Sequence, residues 1–236
     1  MRGLFQNTLL NIVFPKFCLN CKKEGDYLCQ DCQGLTGILE YRFCLCEKAS
    51  RLIKEEKCNR CRRNRRLDGL YFALPYQNAI VKNLIRQFKY EPFAQELADT
   101  ITSLIINHFQ LLGKEMKNFS EFLLIPVPLT RRRLRWRGFN QAEEISKKLA
   151  GFLDASLTNN ILMKIKETQH QADLSGKDRW ENVKGVFAVS NREKIKNKNI
   201  LLMDDVYTTG ATMEECAKSL KENGARSVWG IVAARG

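Results

Sequence analysis

The chain has 236 residues, of which 44% are hydrophobic, enough to form the core of a soluble globular protein. Its apolar runs are far shorter than the roughly 20 residues of a membrane-spanning helix, and no small-residue cleavage site follows the apolar N-terminal stretch. We therefore expect a cytoplasmic protein. The net charge of +13 favours polyanionic partners such as nucleic acid, phosphorylated metabolites or acidic membrane surfaces, although scattered lysines on solvated faces would give the same excess.

Cysteines divide the chain into two parts, because eight of the nine lie in four close pairs near the N-terminus. The pairs are Cys18/Cys21, Cys29/Cys32, Cys44/Cys46 and Cys58/Cys61. Three have the C-x-x-C spacing, which lets two thiolates of one turn bind the same tetrahedral cation, and four thiolates complete a closed structural Zn²⁺ site. We predict one or two such zinc ions, with Cys44/Cys46 the irregular pair. Disulfides are the alternative, but such bridges close very small loops and a reducing compartment disfavours them.

The composition changes after Cys61, where an arginine run over residues 62–66 is followed by an aromatic and apolar stretch. We place a domain boundary there. This gives a cysteine-rich domain over residues 1–66 and a second domain over residues 67–236. The arginine run is either a solvated linker or one wall of a phosphate-binding surface.

Downstream, two kinds of apolar pattern alternate. Apolar residues three and four apart predict helices over residues 78–90, 93–109, 140–153 and 211–225. Compact apolar runs predict strands over residues 121–129, 185–189, 199–205 and 227–235. This alternation of strands and helices predicts an open, mainly parallel α/β sheet with flanking helices.

Residues 200–212, ILLMDDVYTTGAT, join the end of a buried strand to the start of a helix. Ligands bind at this edge of an open α/β sheet. The loop hydroxyls and amides before the helix favour an anion, and Gly210 allows close approach of the backbone. Asp204 and Asp205 would repel a phosphate, but suit vicinal sugar hydroxyls or Mg²⁺ on a diphosphate. The order fits a phosphorylated ribose; the ordinary alternative is a strand that ends in a capped turn.

The same residues resemble the 5-phosphoribosyl 1-diphosphate (PRPP) motif of type I phosphoribosyltransferases. The cysteine pairs and the segments FKYEPF, IPVPLTRRRLRWRGFNQA and QADLSGKDRWENVKGVF extend the resemblance to the ComF family. That family joins a phosphoribosyltransferase domain to an N-terminal zinc finger and is associated with natural competence for DNA uptake. The resemblance therefore implies this two-part fold and a ligand site for PRPP with Mg²⁺.

The resemblance also implies roles for individual residues. Asp204 and Asp205 would contact the ribose hydroxyls. The 5′-phosphate would lie against Thr208, Thr209, Gly210, Ala211 and Thr212. The pyrophosphate side would use candidates from Arg131, Arg132, Arg133, Arg135 and Arg137, followed by Gly138 and Asn140 of the distinctive RGFN element. Arginine suits this role because its planar fork grips phosphate oxygens in pairs. The polar segment 171–183 resembles a loop that closes over substrate, with Gln171, Arg179 and Asn182 as its candidate functional residues.

Three functional hypotheses follow. The first is a PRPP-dependent transferase with an unidentified acceptor; Thr208 stands where purine-salvage enzymes often have an acid, which argues against their mechanism. The second is a non-catalytic protein of DNA uptake that binds single-stranded DNA and uses the PRPP pocket as a regulatory site. In the third, the zinc finger docks onto a helicase of the competence machinery.

A few further residues have two interpretations each. His108 is expected to be packed or capping at the end of an apolar helix, and His170 in the polar segment is more open to proton transfer. Trp136 could stack on a base or pack. Cys216 is expected to be a small buried hydrophobe.

Overall fold

The computed structural model of the protein describes residues 15–46, 49–52, 57–90, 94–113, 116–169 and 176–236. Its strands are β1 (Arg42–Phe43), β2 (Arg51–Leu52), β3 (Gly69–Pro75), β4 (Phe122–Pro126), β5 (Ser156–Leu157), β6 (Leu162–Lys164), β7 (Phe187–Val189), β8 (Asn199–Tyr207) and β9 (Ser227–Arg235). Its helices are α1 (Gln30–Gly34), α2 (Asn59–Asn64), α3 (Ala79–Tyr90), α4 (Leu97–Leu112), α5 (Arg131–Arg137), α6 (Gln141–Leu153), α7 (Gly176–Val183) and α8 (Ala211–Glu222), with a 3₁₀ turn at Ala94–Glu96.

Five strands form the central sheet, in the spatial order β3, β9, β8, β4, β5, and every neighbouring pair is parallel. Parallel sheets are covered by helices on both faces, so their central strands are apolar without alternation. β8 follows this rule. Ile200 and Leu202 point into the core on one face, Leu201 and Met203 into the core on the other, and all four are fully buried. The predicted parallel α/β sheet with flanking helices is confirmed.

Different elements cover the two faces. On one face, α3, α4 and α6 pack against Tyr71, Leu124 and Trp229. On the other, α8 and the antiparallel pair β6–β7 pack against Phe72 and Val232. The predicted helices and strands of the second domain all occur, with ends shifted by a few residues.

In the second domain, two helices form where none was predicted. α5 covers the arginine-rich residues 131–137, where Oγ1 of Thr130 caps the start of the helix by accepting from the Arg133 amide at 3.3 Å and Gly138 ends it with φ +80°. α7 lies in the polar segment that resembles a closing loop, and residues 171–175 of that segment are outside the described ranges. Neither helix has a wide apolar stripe, so apolar periodicity could not reveal them.

The cysteine-rich segment packs directly onto the sheet domain. Cys18, Cys29 and Cys32 belong to the core on the α3–α4 face. Cys44 and Cys61 belong to the core on the α8 face. The boundary after residue 66 stays a prediction. Within the described part of the chain, no helix is both long enough and apolar enough to cross a bilayer.

Candidate functional site

The end of β8 carries two adjacent acids in different electrostatic states. The Asp205 amide donates to Oδ1 of Asp204 at 2.8 Å, and Oδ2 of Asp205 lies 3.0 Å from Nζ of Lys89 on α3. Burial, with the neighbouring Asp205 charge, raises the pKa of Asp204 to about 7. Burial opposes the charge of Lys89, but the Asp205 carboxylate holds the pKa of Lys89 above its usual value. Asp205 is therefore ion-paired, whereas Asp204 changes charge near neutral pH.

The loop between β8 and α8 forms an anion cradle. Gly210 has φ +83°, which glycine adopts without strain, and a Cβ there would lie 2.2 Å from the Tyr207 hydroxyl oxygen. The Ala211 amide donates to Oγ1 of Thr209 at 3.4 Å. Because α8 begins at Ala211, its first amides and the positive end of its dipole face the loop. Residues 206–213 enclose a small concavity at the start of this helix.

A cavity of about 630 Å³ opens beside the acids and the loop. The predicted ligand residues that line it are Asp204, Asp205, Thr208, Thr212, Arg133, Arg137, Asn140 and Arg179. Thr209, Gly210 and Ala211 line the adjoining concavity of the loop. Most of the charged groups in the cavity are basic. It can therefore take a ligand that carries several anionic groups and hydroxyls.

The helix α5 divides its five arginines into two sets. Arg133 and Arg137, one helical turn apart, line the cavity. Arg131, Arg132 and Arg135 are exposed and do not line it. Arg132 lies at an adjoining outer hollow, which Arg133 and Arg137 also line. Helical geometry thus separates arginines that the sequence presents as one cluster.

The cavity arginines are held by neighbouring groups. Arg133 donates through Nη2 to the carbonyls of Thr168 and Gln169, at 3.2 and 3.3 Å. Arg137 donates through Nη1 to Oε1 of Gln141 at 2.9 Å, and its Nε is buried without a hydrogen-bond partner among the described residues. Arg137 therefore has donor capacity that an anionic ligand could use.

Within the RGFN element, some residues only hold the local fold, whereas others also line the cavity. Gly138 caps α5 in a left-handed conformation and does not line the cavity. Asn140 caps α6, since its Oδ1 accepts from the Ala142 amide at 3.1 Å. Its Nδ2 donates to the Val127 carbonyl at 3.0 Å. Asn140 thus joins the start of α6 to the residue that follows β4, at the cavity edge.

Two walls of the cavity are the acids of β8, here called the acidic wall, and the arginines of α5, here called the basic wall. The third wall consists of Lys164 on β6, Arg179 on α7 and Phe187 on β7. Burial, with the nearby charge of Arg133, lowers the pKa of Lys164 to about 8. Arg179 donates through Nη1 to Oγ1 of Thr208 at 3.3 Å, so α7 contacts the anion loop directly. Asn182 instead pairs with the backbone of Gln169, while Gln171 and His170 are outside the described residues.

Sequence reasoning missed several residues of the cavity. Lys89 and Lys164 are the most important, because each interacts electrostatically with the acids. The other lining residues to which no role had been assigned include Tyr76, Lys82, Arg86 and Tyr90. Lys89 and Tyr90 lie in the segment FKYEPF. This segment contributed to the family resemblance, but no chemical role was assigned to its residues. A single lysine on an amphipathic helix gives no signal of its own.

The eight N-terminal cysteines form two groups of four, Cys18/Cys21/Cys29/Cys32 and Cys44/Cys46/Cys58/Cys61, and none forms a disulfide. Within each group the sulfurs lie within 4.8 Å of one another, which compares with about 3.8 Å between thiolates in a tetrahedral site with Zn–S bonds of about 2.3 Å. Nδ2 of Asn20 donates to Sγ of Cys32 at 3.2 Å, and the Ser50 amide to Sγ of Cys44 at 3.2 Å. Such donors stabilise thiolates, so both groups fit a structural metal ion.

The structure also shows the surroundings of three residues that the sequence left open to more than one interpretation. His108 is buried in α4, its Nδ1 contacts the Leu39 carbonyl, and it does not line the cavity. Cys216 is fully buried in α8. Trp136 is 69% exposed, with its ring 5.9 Å from that of Tyr90. Trp136 is therefore available for an external partner.

Comparison with known proteins agrees with this arrangement. Residues 137–235 match the model of the phosphoribosyl transferase domain. The chain is 40% identical to Competence protein F of Haemophilus influenzae, over 47% of this chain and 50% of that protein. It is 28% identical to DNA utilization protein YhgH of Salmonella typhimurium, over 61% of this chain and 63% of that protein. Competence protein ComFC of Streptococcus pneumoniae is 25% identical over 94% of this chain and 93% of that protein.

The chain therefore spans about half to under two thirds of the length of the first two relatives, and nearly all of the third. The domain match includes α6, β8 with its two acids, the anion loop and α8. The full-length match adds the cysteine-rich segment. The chain thus combines a segment with two four-cysteine clusters and a region similar to the phosphoribosyl transferase domain, and it resembles proteins named for competence and DNA utilization.

Proposed function

We propose that this protein binds PRPP with Mg²⁺ and transfers its phosphoribosyl group to an acceptor. In this reaction a bond forms between the acceptor and C1 of the ribose, the C1–oxygen bond to diphosphate breaks, and pyrophosphate leaves with the bonding electrons. The observation that carries the proposal is the juxtaposition of Asp204 and Asp205 with the anion loop at one edge of a parallel sheet.

The acidic wall suits the ribose 5-phosphate half of PRPP. The 5′-phosphate would occupy the loop of residues 208–212, where amides of α8 and threonine hydroxyls converge. The ribose hydroxyls would then donate to Asp204 and Asp205. Lys89 would keep Asp205 in place through its ion pair, so that the two carboxylates do not depend on the ligand for their orientation.

The basic walls suit the diphosphate half. Arg133, Arg137 and Lys164 face the cavity from α5 and β6 and would bind its oxygens. Oxygen ligands for Mg²⁺ are available from Asp204 and Asp205, and the ion would neutralise charge on the leaving diphosphate. Arg179, which already contacts Thr208, would add a donor on the side of the 5′-phosphate. Catalysis would rest on positioning and charge neutralisation.

Calorimetric titration with PRPP and Mg²⁺ tests the proposal. Asp204→Asn with Asp205→Asn should weaken binding by about 100-fold or more, because two charge-assisted acceptors worth about 1.5–3 kcal/mol each are removed. Asp154→Asn is the matched control, since Asp154 is exposed at the end of α6. The single Asp204→Asn variant keeps the Lys89–Asp205 pair and guards against misfolding. Unchanged affinity in both acid variants, or no binding to the native protein, would refute the proposal.

We further infer that the protein acts in DNA uptake or utilization in the cytoplasm, where thiolate zinc sites remain reduced. The names of the relatives from Haemophilus, Salmonella and Streptococcus support this role. A strain that carries only the Asp204→Asn variant should lose transformation to the same degree as a deletion strain. Full transformation by that strain would show that DNA uptake does not depend on the PRPP site.

A second candidate function, binding of single-stranded DNA without catalysis, is favoured by the outer face of α5. Arg131, Arg132, Arg135 and Trp136 are all exposed there. Arginines with an aromatic side chain suit a strand of stacked bases. An adaptor role toward a helicase, which the family resemblance implies, would instead place the docking surface on the cysteine-rich segment.

The outer face of α5 allows the two functions to be tested separately. Arg131→Ala with Arg132→Ala and Arg135→Ala should make log affinity for single-stranded DNA fall less steeply with log salt, by about 0.7 for each phosphate that is no longer neutralised. PRPP affinity should be kept, because these side chains do not line the cavity beside the acids. If the triple variant fails to bind PRPP and still binds DNA, this division is wrong.

A further inference from the structure

The second cysteine cluster, defined as Cys44, Cys46, Cys58 and Cys61, is joined to the anion loop by a buried arginine. Arg235, at the end of β9, is 8% exposed. It donates through Nη1 to the Cys44 carbonyl at 2.6 Å and through Nη2 to the Cys46 carbonyl. Its guanidinium also lies 5.6 Å from the centre of the Tyr207 ring. Arg235 thus contacts the backbone of two cluster residues and the last residue of β8.

Tyr207 transmits this contact to the loop. Its side chain is buried, and Gly210 packs so closely on it that a Cβ would meet the hydroxyl and ring atoms within 2.2 to 2.8 Å. A shift of the ring would therefore collide with the loop or leave a gap beneath it, since packed interiors do not deform continuously. The position of the loop backbone depends on the position of the Tyr207 ring.

A second connection joins the same two regions. The amides of Arg66 and Leu67 both donate to Oε2 of Glu214, at 2.5 and 3.3 Å. Glu214 is buried in the first turn of α8, directly after the loop. The Arg65 amide in turn donates to the Cys61 carbonyl at 3.0 Å, which ties this backbone to the end of α2. Both ends of the loop therefore contact groups that are joined to the second cluster: Arg235 at Tyr207, and the backbone of residues 66 and 67 at Glu214.

The first cluster has no such connection among the described residues. Cys18, Cys29 and Cys32 belong to the core on the opposite face of the sheet, which α3 and α4 cover. Their neighbours there include Asn83, whose Nδ2 donates to the Leu19 carbonyl at 3.3 Å. The two clusters are thus inequivalent in their relation to the anion loop.

We propose that Arg235 and Glu214 are positioning residues through which metal binding at the second cluster sets the conformation of the anion loop. A bound metal would hold the backbone carbonyls of Cys44 and Cys46 in place. Without the metal, these carbonyls can move away from the buried guanidinium of Arg235, and the Tyr207 ring beside Arg235 can then shift. The inference deepens the proposed function and rests on it only where PRPP serves as the probe. By linkage, a ligand in the loop must also strengthen metal binding at this cluster.

Amide hydrogen exchange over residues 206–214 tests the coupling without any ligand. In zinc-loaded protein, Arg235→Ala should speed exchange in this segment by about tenfold or more, because a segment with fewer buried contacts opens more often. Arg226→Ala is the matched control, with the same residue type exposed just before β9. Arg235→Lys keeps the charge but loses the planar fork, so its exchange rate should be intermediate. This variant replaces Arg235→Ala if the alanine variant does not fold. Equal exchange in the Arg235 and Arg226 variants would overturn the proposal.

Zinc release to a chromophoric chelator supplies the reciprocal test. Saturating PRPP with Mg²⁺ should slow the release of one of the two metals in the native protein and of neither metal in Arg235→Ala. Glu214→Gln should weaken the effect in part. If PRPP does not bind the native protein, the proposed function fails, and the exchange experiment still decides the coupling. If PRPP binds but protects both metals equally or neither, the coupling fails and the proposed function stands.

Discussion

The two main walls of the cavity are built in different ways. The acidic wall ends β8, a strand hydrogen-bonded to β4 on one side and β9 on the other, with both faces buried. The basic wall is α5, a seven-residue helix without a buried side chain. The first wall is fixed by the sheet, whereas the second is held by a cap at each end and by a few side-chain contacts. Changes in the acidic wall should therefore have larger effects.

The largest effect is expected from Gly210→Ala. A left-handed conformation costs a residue with a Cβ about 1–2 kcal/mol, and the new Cβ would in addition collide with Tyr207. We expect PRPP binding to be abolished and the midpoint of thermal unfolding to fall. Gly151→Ala is a suitable control, because nothing lies within 4 Å of a Cβ at that position. Native-like PRPP affinity in Gly210→Ala would show that the loop is not the phosphate site.

Arginine substitutions in the basic wall should have an intermediate effect. Arg133→Ala and Arg137→Ala should each weaken PRPP binding by about tenfold to 100-fold, the range for a hydrogen-bonded charge of about 1.5–3 kcal/mol. Arg135→Ala should leave PRPP affinity nearly unchanged, since Arg135 is exposed and lines no part of the cavity. Equilibrium titration of the three variants measures this order. An equal decrease in all of them would mean that the net charge of α5 matters and the direction of its side chains does not.

The acidic wall and the third wall should affect the pH dependence of PRPP affinity in opposite directions. Asp204 gains its charge near pH 7 and should then accept from the ribose, while Lys164 on the third wall loses its charge above about pH 8. PRPP affinity should thus be greatest between about pH 7 and 8. Calorimetry at a series of pH values on either side of this range checks the expectation, with Asp204→Asn expected to flatten the acidic side and Lys164→Met the alkaline side. Persistence of both limbs in the two variants would assign them to the ligand.

The same shift of Asp204 affects folding. Its pKa is about 7 in the folded protein and near 3.8 in the unfolded chain, so the folded state holds one more proton between these values. The contribution of this group to stability is therefore present at low pH and disappears as the pH rises from 3.8 to about 7. In Asp204→Asn, the free energy of unfolding, measured by chemical denaturation, should vary less with pH in this window.

The smallest effect is expected from Asn140→Ala, which removes the cap of α6 at the edge of the basic wall. Removal of an N-cap costs about 0.5–2 kcal/mol. Chemical denaturation should show this decrease, and Asn140→Ser should restore part of it. A larger change in PRPP affinity than in stability would give Asn140 a direct role in ligand binding.

The sequence allowed the acidic wall to be predicted because local order determines it. An apolar run buried on both faces, two acids, and a threonine- and glycine-rich turn before a helix leave little choice of geometry. The basic wall was predicted only as a group of arginines. Its division into inner and outer residues depends on α5, and apolar periodicity could not reveal a helix that buries nothing.

Long-range contacts could not be predicted at all. The ion pair of Lys89 with Asp205 joins residues on different elements far apart in the chain, and neither residue type signals its partner. The same holds for Arg235, whose acceptors are the carbonyls of cysteines near the other end of the chain. A backbone acceptor has no sequence signature, so only the folded structure reveals such contacts.

The shared cores limit how far the two parts of the chain can be treated as separable modules. Removal of the cysteine-rich segment would uncover Phe72, whose ring lies 5.7 Å from that of Phe43, and would take Cys44 and Leu45 from the core on one face and Cys18 and Leu28 from the core on the other. Exposed apolar patches of this kind promote aggregation. Truncation at residue 67 is therefore a poor way to isolate the sheet domain, and an inactive fragment would say nothing about which part binds a partner. Such a fragment should be made with compensating polar substitutions on both faces.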